Sequence, residues 1–177
     1  MIDKKNTVHI FNDFLKLEDF KKIQNLLLGD IFPWYYNYGI VDKDENNLEY
    51  FQFTHNFFDN LCQVSEYFGE IVPIIEMIQP VSLLRIKANL LTKNIKNYEH
   101  GFHTDIGYLK KNQQATTAIF YVNTNNGYTK FEDGNIVESV ENRLIMFDSR
   151  ISHTGASCTD EKTRVVINFN YFSLIRP

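Results

Sequence analysis

From residue 81 onward the chain alternates. Apolar and polar side chains change places through residues 81–91, 116–123, 128–140, 143–147 and 164–172. A period of two puts successive side chains on opposite faces, so these segments are predicted to be strands. Asp133-Gly134, between two alternating stretches, predicts a tight hairpin turn within 128–140. In the first strand Arg85, Lys87 and Asn89 fall on one face, with Leu84, Ile86 and Ala88 on the other. In the last strand Arg164, Val166, Asn168 and Asn170 share a face.

The first half reads mostly helical. Phe20, Ile23 and Leu27 recur at helical spacing between Leu17 and Leu28, and Gly29 is placed to end that helix. Phe57, Leu61, Val64 and Phe68 form a second apolar stripe, ending near Gly69. Pro73 suits the opening turn of a third helix that runs through Ile78 and stops before Pro80. The aromatic stretch Pro33-Trp34-Tyr35-Tyr36-Asn37-Tyr38-Gly39 has two readings. A strand or loop over the core edge is favoured, and part of a substrate-facing lid is the alternative. Helices first and strands after predict an α+β chain with an antiparallel sandwich or jelly roll. At 177 residues a single domain is expected, helical over 1–80 and jelly-roll over 81–177. Fifteen Phe and ten Tyr suit such packed sheet layers.

A net charge of −4 gives no general attraction to phosphate backbones, so nucleic acid is not the expected partner. The basic residues between Lys87 and Lys96, and the pair Lys110-Lys111, read as solvated faces. Cys62 and Cys158 offer neither a zinc spacing nor a disulfide framework and read as ordinary thiols. Residues 1–7 are polar and lack a signal-peptide core. No apolar run approaches the ~20 residues of a membrane span. The expected compartment is the cytoplasm, or a host's cytoplasm for a viral chain.

Of the five histidines only His103 has a carboxylate two positions on, Asp105. With 22 acidic residues in the chain, one such pair among five histidines is unsurprising. On a strand or at its end, both side chains would point to one face and could share a metal ion. A surface histidine beside a turn carboxylate would give the same spacing. His153 follows the strand 143–147 and supplies a third donor at a plausible sheet mouth. Two His and one carboxylate on one face leave coordination positions open, as non-haem iron chemistry requires. Arg164, eleven residues after His153, opens the last strand. A guanidinium in an apolar barrel is costly unless it meets an anion, and its planar fork matches a carboxylate. A dicarboxylate could chelate iron at one end and meet Arg164 at the other. The bland alternative is an arginine snorkelling at a strand edge. His100 reads as exposed or as lying behind the ligands, His9 and His55 as structural, and Asp148 as a turn former.

The ordered pieces His103-Thr104-Asp105, Ala118-Ile119-Phe120-Tyr121-Val122-Asn123, Gly127-Tyr128-Thr129-Lys130-Phe131, Asn142 to Asp148, His153 and Arg164 resemble the iron(II)/2-oxoglutarate dioxygenases, in their prolyl-4-hydroxylase-like branch. The resemblance covers roughly residues 81–172. The chain also looks like the small single-domain oxygenases common in phage genomes. The resemblance implies a double-stranded β-helix (jelly roll, cupin-like) with the N-terminal helices packed on one sheet. It implies iron on His103, Asp105 and His153, and 2-oxoglutarate paired through its far carboxylate with Arg164. Tyr121 would hydrogen-bond that carboxylate, and Thr129 would line the pocket. Asn89, where relatives often carry a tyrosine near the 2-oxoglutarate, would be a further contact of the cosubstrate, and Asn168, facing the same way as Arg164, would touch substrate or cosubstrate. Cofactors would be Fe(II), 2-oxoglutarate and O2, with ascorbate as an accessory reductant. The expected reaction is hydroxylation of an aliphatic C–H bond, a prolyl residue of a peptide first. A free amino acid, small metabolite or nucleobase is the alternative substrate. A non-catalytic jelly-roll binding module and a cupin-type hydrolase or isomerase are the other classes.

Overall fold

The computed structural model describes residues 7–39, 51–106 and 114–174. The last of the alternating segments, Thr163–Phe172, is strand β11 at the middle of the larger sheet. It pairs antiparallel with β5 (Ser82–Thr92) on one side and β6 (Thr116–Tyr121) on the other. Beyond β6 lie β9 (Arg143–Asp148) and β1 (His9–Phe11). Beyond β5 lies β3 (Gln52–Asp59), which pairs with β2 (Tyr35–Asn37) and with β4 (Cys62–Gln63). A smaller sheet runs in the order β10 (His153–Gly155), β7 (Tyr128–Phe131), β8 (Ile136–Glu138). In its hairpin Gly134 takes the left-handed conformation the turn needs, at φ 91°. Two antiparallel sheets facing each other, with helices on one outer face, are the double-stranded β-helix.

Two apolar layers hold this together. Helix α1 (Leu17–Leu28) buries Phe20, Ile23 and Leu27, the stripe expected from its spacing. With α2 (Val72–Ile78), which carries Pro73 in its first turn, it covers the outer face of the larger sheet. Val165, Ile167 and Phe169 of β11 are fully buried beneath these helices. Between the sheets, Ile119, Tyr121, Phe131, Ile145, Phe147 and Val166 form a smaller cluster. Gly29 ends α1 for want of room rather than for a left-handed turn. A Cβ there would lie 2.8 Å from the Asn25 carbonyl oxygen.

The second helical stripe is not a helix. Phe57 lies on β3, and Asn60 and Leu61 turn the chain at φ 49° and 62° into β4. Two consecutive positive φ values make a two-residue hairpin, so Leu61 and Val64 point to solvent while Phe57 is buried. A 3₁₀ turn, Glu66–Ile71, then leads into α2. His55 is therefore a strand residue, not a helical one. One ring nitrogen lies 2.8 Å from the Pro33 carbonyl and the other 2.7 Å from Ser65 Oγ, a structural role. The aromatic stretch is an edge strand: Trp34 packs on the core, and Tyr35, Tyr36 and Tyr38 are exposed. Lys110-Lys111 lies outside the described residues. Both cysteines are free thiols, Cys62 exposed and Cys158 buried.

Candidate metal centre and anion pocket

His103 and His153 face each other directly. Their segments form one antiparallel bridge, each backbone N–H donating to the other's carbonyl at 3.0 Å. Each Nδ1 approaches the carbonyl two residues before it, Gly101 at 3.3 Å and Ile151 at 3.1 Å. A proton on Nδ1 satisfies both contacts and leaves each Nε2 lone pair free for a metal. The imidazole of His153 is held by Phe147, edge-on with centroids 4.9 Å apart. The His103 ring is pushed below its ordinary pKa by burial and by the neighbouring His153, which keeps it neutral and ligand-ready.

Asp105 completes the group. Its Oδ1 lies 3.8 Å from His103 Nε2, and one donor atom from each of His103, Asp105 and His153 lies within 4.8 Å of the others. Burial alone would push this carboxyl up. The fields of His153 and Arg85 and the Asn170 amide outweigh burial and hold it below the usual range. Asn170 donates to Asp105 Oδ2 at 3.1 Å and to Thr117 Oγ1 at 3.0 Å, which fixes the carboxylate plane. Arg85 reaches the other oxygen at 3.5 Å.

Arg164 stands at the far end of the same pocket. It is 4 % exposed, and among the described residues its hydrogen bonds go only to hydroxyls, Nε to Ser139 Oγ at 2.8 Å and Nη2 to Thr129 Oγ1 at 3.1 Å. The Tyr121 ring lies 5.7 Å from its Cζ. No carboxylate pairs with it among the described residues. Burying a guanidinium costs several kcal/mol, which two neutral partners and an aromatic face offset only in part. The chain around it has been cleared to fit. A Cβ on Gly127 would meet Arg164 Cδ at 2.6 Å, and one on Gly155 would touch Nη1 at 3.4 Å.

Thr129 links the parts. Its hydroxyl oxygen accepts from Tyr121 at 2.8 Å as well as from Arg164, so both acceptor positions are used. Its own proton is then left to donate into the pocket. The Tyr121 phenol reaches the pocket only through Thr129. Asn89 and Asn168 line the pocket between the two ends.

Several pocket residues went unassigned in the sequence. Lys87, read as part of a solvated face, lines the pocket, as does Gln52 at the start of β3. His100, expected exposed or behind the ligands, is 2 % exposed and lines it too, its pKa pushed down to about 4 by burial, then by Arg164 and His103. Asn170 and Arg85 were on the right faces of their strands, and alternation alone could have named them. For Gln52 no signal existed once its neighbourhood read as helical.

The chemistry of the donor set fits a ferrous ion: two neutral imidazoles, one carboxylate and an open side facing a pocket. Fold and site together describe a double-stranded β-helix in which a His-Asp-His group able to hold a metal ion and a buried guanidinium share one pocket. No family model matches the sequence, and no curated protein matches it. Solved structures do. One is a prolyl hydroxylase from Trichoplax adhaerens in complex with a hypoxia inducible factor oxygen degradation domain peptide fragment, with TM-score 0.63 and 13% identity over 94% of this chain and 84% of that one. An oxidoreductase of the 2OG-Fe(II) oxygenase family from Burkholderia pseudomallei gives 0.68 at 10% identity, over 93% and 84%. A viral collagen prolyl hydroxylase from Paramecium Bursaria Chlorella virus-1 in its 2OG complex gives 0.55 at 11%, over 98% and 100%. The chain has the fold of the 2-oxoglutarate oxygenases of the prolyl-hydroxylase type. Among the described residues no helix is long and apolar enough to cross a membrane.

Proposed function

We propose that this chain is an Fe(II)- and 2-oxoglutarate-dependent oxygenase that hydroxylates an aliphatic C–H bond. The observation that carries the reading is Arg164, a buried guanidinium with hydroxyl partners only, facing a His-Asp-His group through one pocket. A diacid is the ligand that uses both ends. His103, Asp105 and His153 would hold the ion. When bound, iron and 2-oxoglutarate supply the oxidising chemistry: O2 is consumed, the keto acid becomes succinate and CO2, and one oxygen atom enters the substrate C–H bond.

The residues do the rest. Arg164 and the Thr129 hydroxyl bind the far carboxylate and fix the diacid's orientation. Tyr121 holds the Thr129 proton inward by donating to its oxygen. Asn170 holds Asp105 so that one oxygen stays toward the histidines. Ile119 and Val166 give the pocket an apolar wall that limits water. Similarity to prolyl hydroxylases alone suggests a prolyl residue of a peptide as substrate, with a free amino acid as the alternative to test beside it.

The test is anaerobic addition of 2-oxoglutarate to the Fe(II)-loaded protein, read as a new visible absorption band, followed by succinate formation in air. His103→Ala and Asp105→Ala should each abolish both signals while thermal unfolding stays cooperative. Wild-type-like succinate from either variant would end the ligand assignment.

A further inference from the structure

The pocket holds a second cation that this reading leaves idle. Lys87 lies on β5 and lines the pocket with the triad. No hydrogen bond or ion pair joins its Nζ to another described residue, and Lys87 is not among those with further contacts. Burial and the adjacent Arg85 push its ammonium down, while Asp105 and Asp59 act the other way. A cation in that setting is completed by an anion.

Its neighbours present the opposite polarity. Asn168 stands opposite Lys87 in the β5–β11 register, and Asn89 is two residues along β5 on the same face. The carboxamide oxygens of both are buried with no hydrogen-bond partner. An unmet buried acceptor costs about 1–3 kcal/mol, so each is completed by a donor. This cluster is separate from the diacid's far end. Arg164 pairs in register with Leu91, four residues along β5 from Lys87, roughly 14 Å at strand spacing.

One idle ammonium beside two idle acceptor oxygens is the complement of a zwitterion. We propose that the primary substrate is a free α-amino acid, its carboxylate on Lys87 and its ammonium or ring NH2+ on the oxygens of Asn89 and Asn168. The inference rests on the oxygenase reading and narrows it. A residue inside a peptide has both groups tied up in amides and offers this cluster nothing.

The experiment uses protein loaded with Mn(II), which sustains no turnover, and saturated with 2-oxoglutarate. Each of the twenty common free L-amino acids is titrated by calorimetry, then the amide and N-acetyl forms of the tightest. One amino acid should bind, and both blocked forms should bind about tenfold more weakly or worse. Lys87→Met should weaken the free acid about tenfold while leaving its amide unchanged, and Lys87→Arg should recover part of the loss. Should Lys87→Met fail to fold, Asn168→Ala carries the same comparison on the N-acetyl side. Binding of no amino acid, equal binding of blocked forms, or a Lys87→Met loss confined to 2-oxoglutarate would each overturn the proposal. Failure of the wild type to bind 2-oxoglutarate at all would instead sink the oxygenase reading.

Discussion

The two faces of β11 are buried alike and are not repaid alike. On the outer face Val165, Ile167, Phe169 and Tyr171 meet the helices and the rest of the apolar core. On the inner face Arg164, Asn168 and Asn170 are as deeply buried. Yet Asn168 and Asn170 each keep an unpartnered oxygen, and Arg164 has no anion among the described residues. Apolar burial is satisfied by the protein itself. Polar burial of this kind is satisfied only by something that binds. One strand thus presents core residues on one face and the proposed site on the other, sorted by residue parity.

The comparison breaks most visibly on the apolar side. Phe169→Ala should destabilise the protein by about 3–5 kcal/mol, read as a fall in the urea midpoint, because it opens a cavity under the helices. Asn168→Ala, one residue away on the other face, should move that midpoint little. Equal losses at the two positions would mean that the inner face is structural after all.

Arg164→Met sharpens the contrast from the inner side. Methionine keeps the stem and removes the unpaired charge, so the ligand-free protein should be as stable as wild type or more so. Its 2-oxoglutarate affinity should fall about 100-fold, the loss of a charge-assisted pair worth ~3 kcal/mol. A marked drop in ligand-free stability would show that Ser139 and Thr129 already satisfy the guanidinium. Asn170→Ala should act more locally, weakening metal binding about 10–100-fold through loss of Asp105 orientation. Metal titration at unchanged thermal stability checks it, and unaltered affinity would remove Asn170 from the site.

What was legible in the sequence follows the same division. Alternation over β5 and β11, each with a largely apolar face, and the short apolar runs of β6 and β9 announce the strands. The same alternation places Arg164, Asn168 and Asn170 on one face from the sequence alone. The Phe57–Phe68 stripe misled because four apolar residues at spacings of three and four also arise when a strand, a two-residue turn and a 3₁₀ turn follow each other. Only the left-handed Asn60-Leu61 pair distinguishes them, and neither residue is a glycine. That misreading hid Gln52. Lys87 was missed for another reason: a lysine flanked by apolar neighbours looks the same on a solvated face as on a pocket wall. Which it is depends on the facing sheet, and no local pattern reports that.

His55 supplies the smallest test, on a polar group that does have its partners. Burial lowers its pKa, and the Pro33 carbonyl only partly restores it, so the fold favours the neutral ring. The sign follows: the folded protein takes up this proton less readily than the unfolded chain. The contribution is complete above the unfolded value of about 6.5 and declines as the pH falls through the lower folded value. His100, pushed down to about 4, acts in the same direction, so the wild type should lose stability steadily from pH 6.5 to pH 5. His55→Gln should flatten that slope slightly while leaving 2-oxoglutarate binding untouched, since His55 lies among Phe32, Phe57 and Tyr67 and not in the pocket. A change in ligand affinity without a change in the pH slope would tie this histidine to the site and blur the division between the faces.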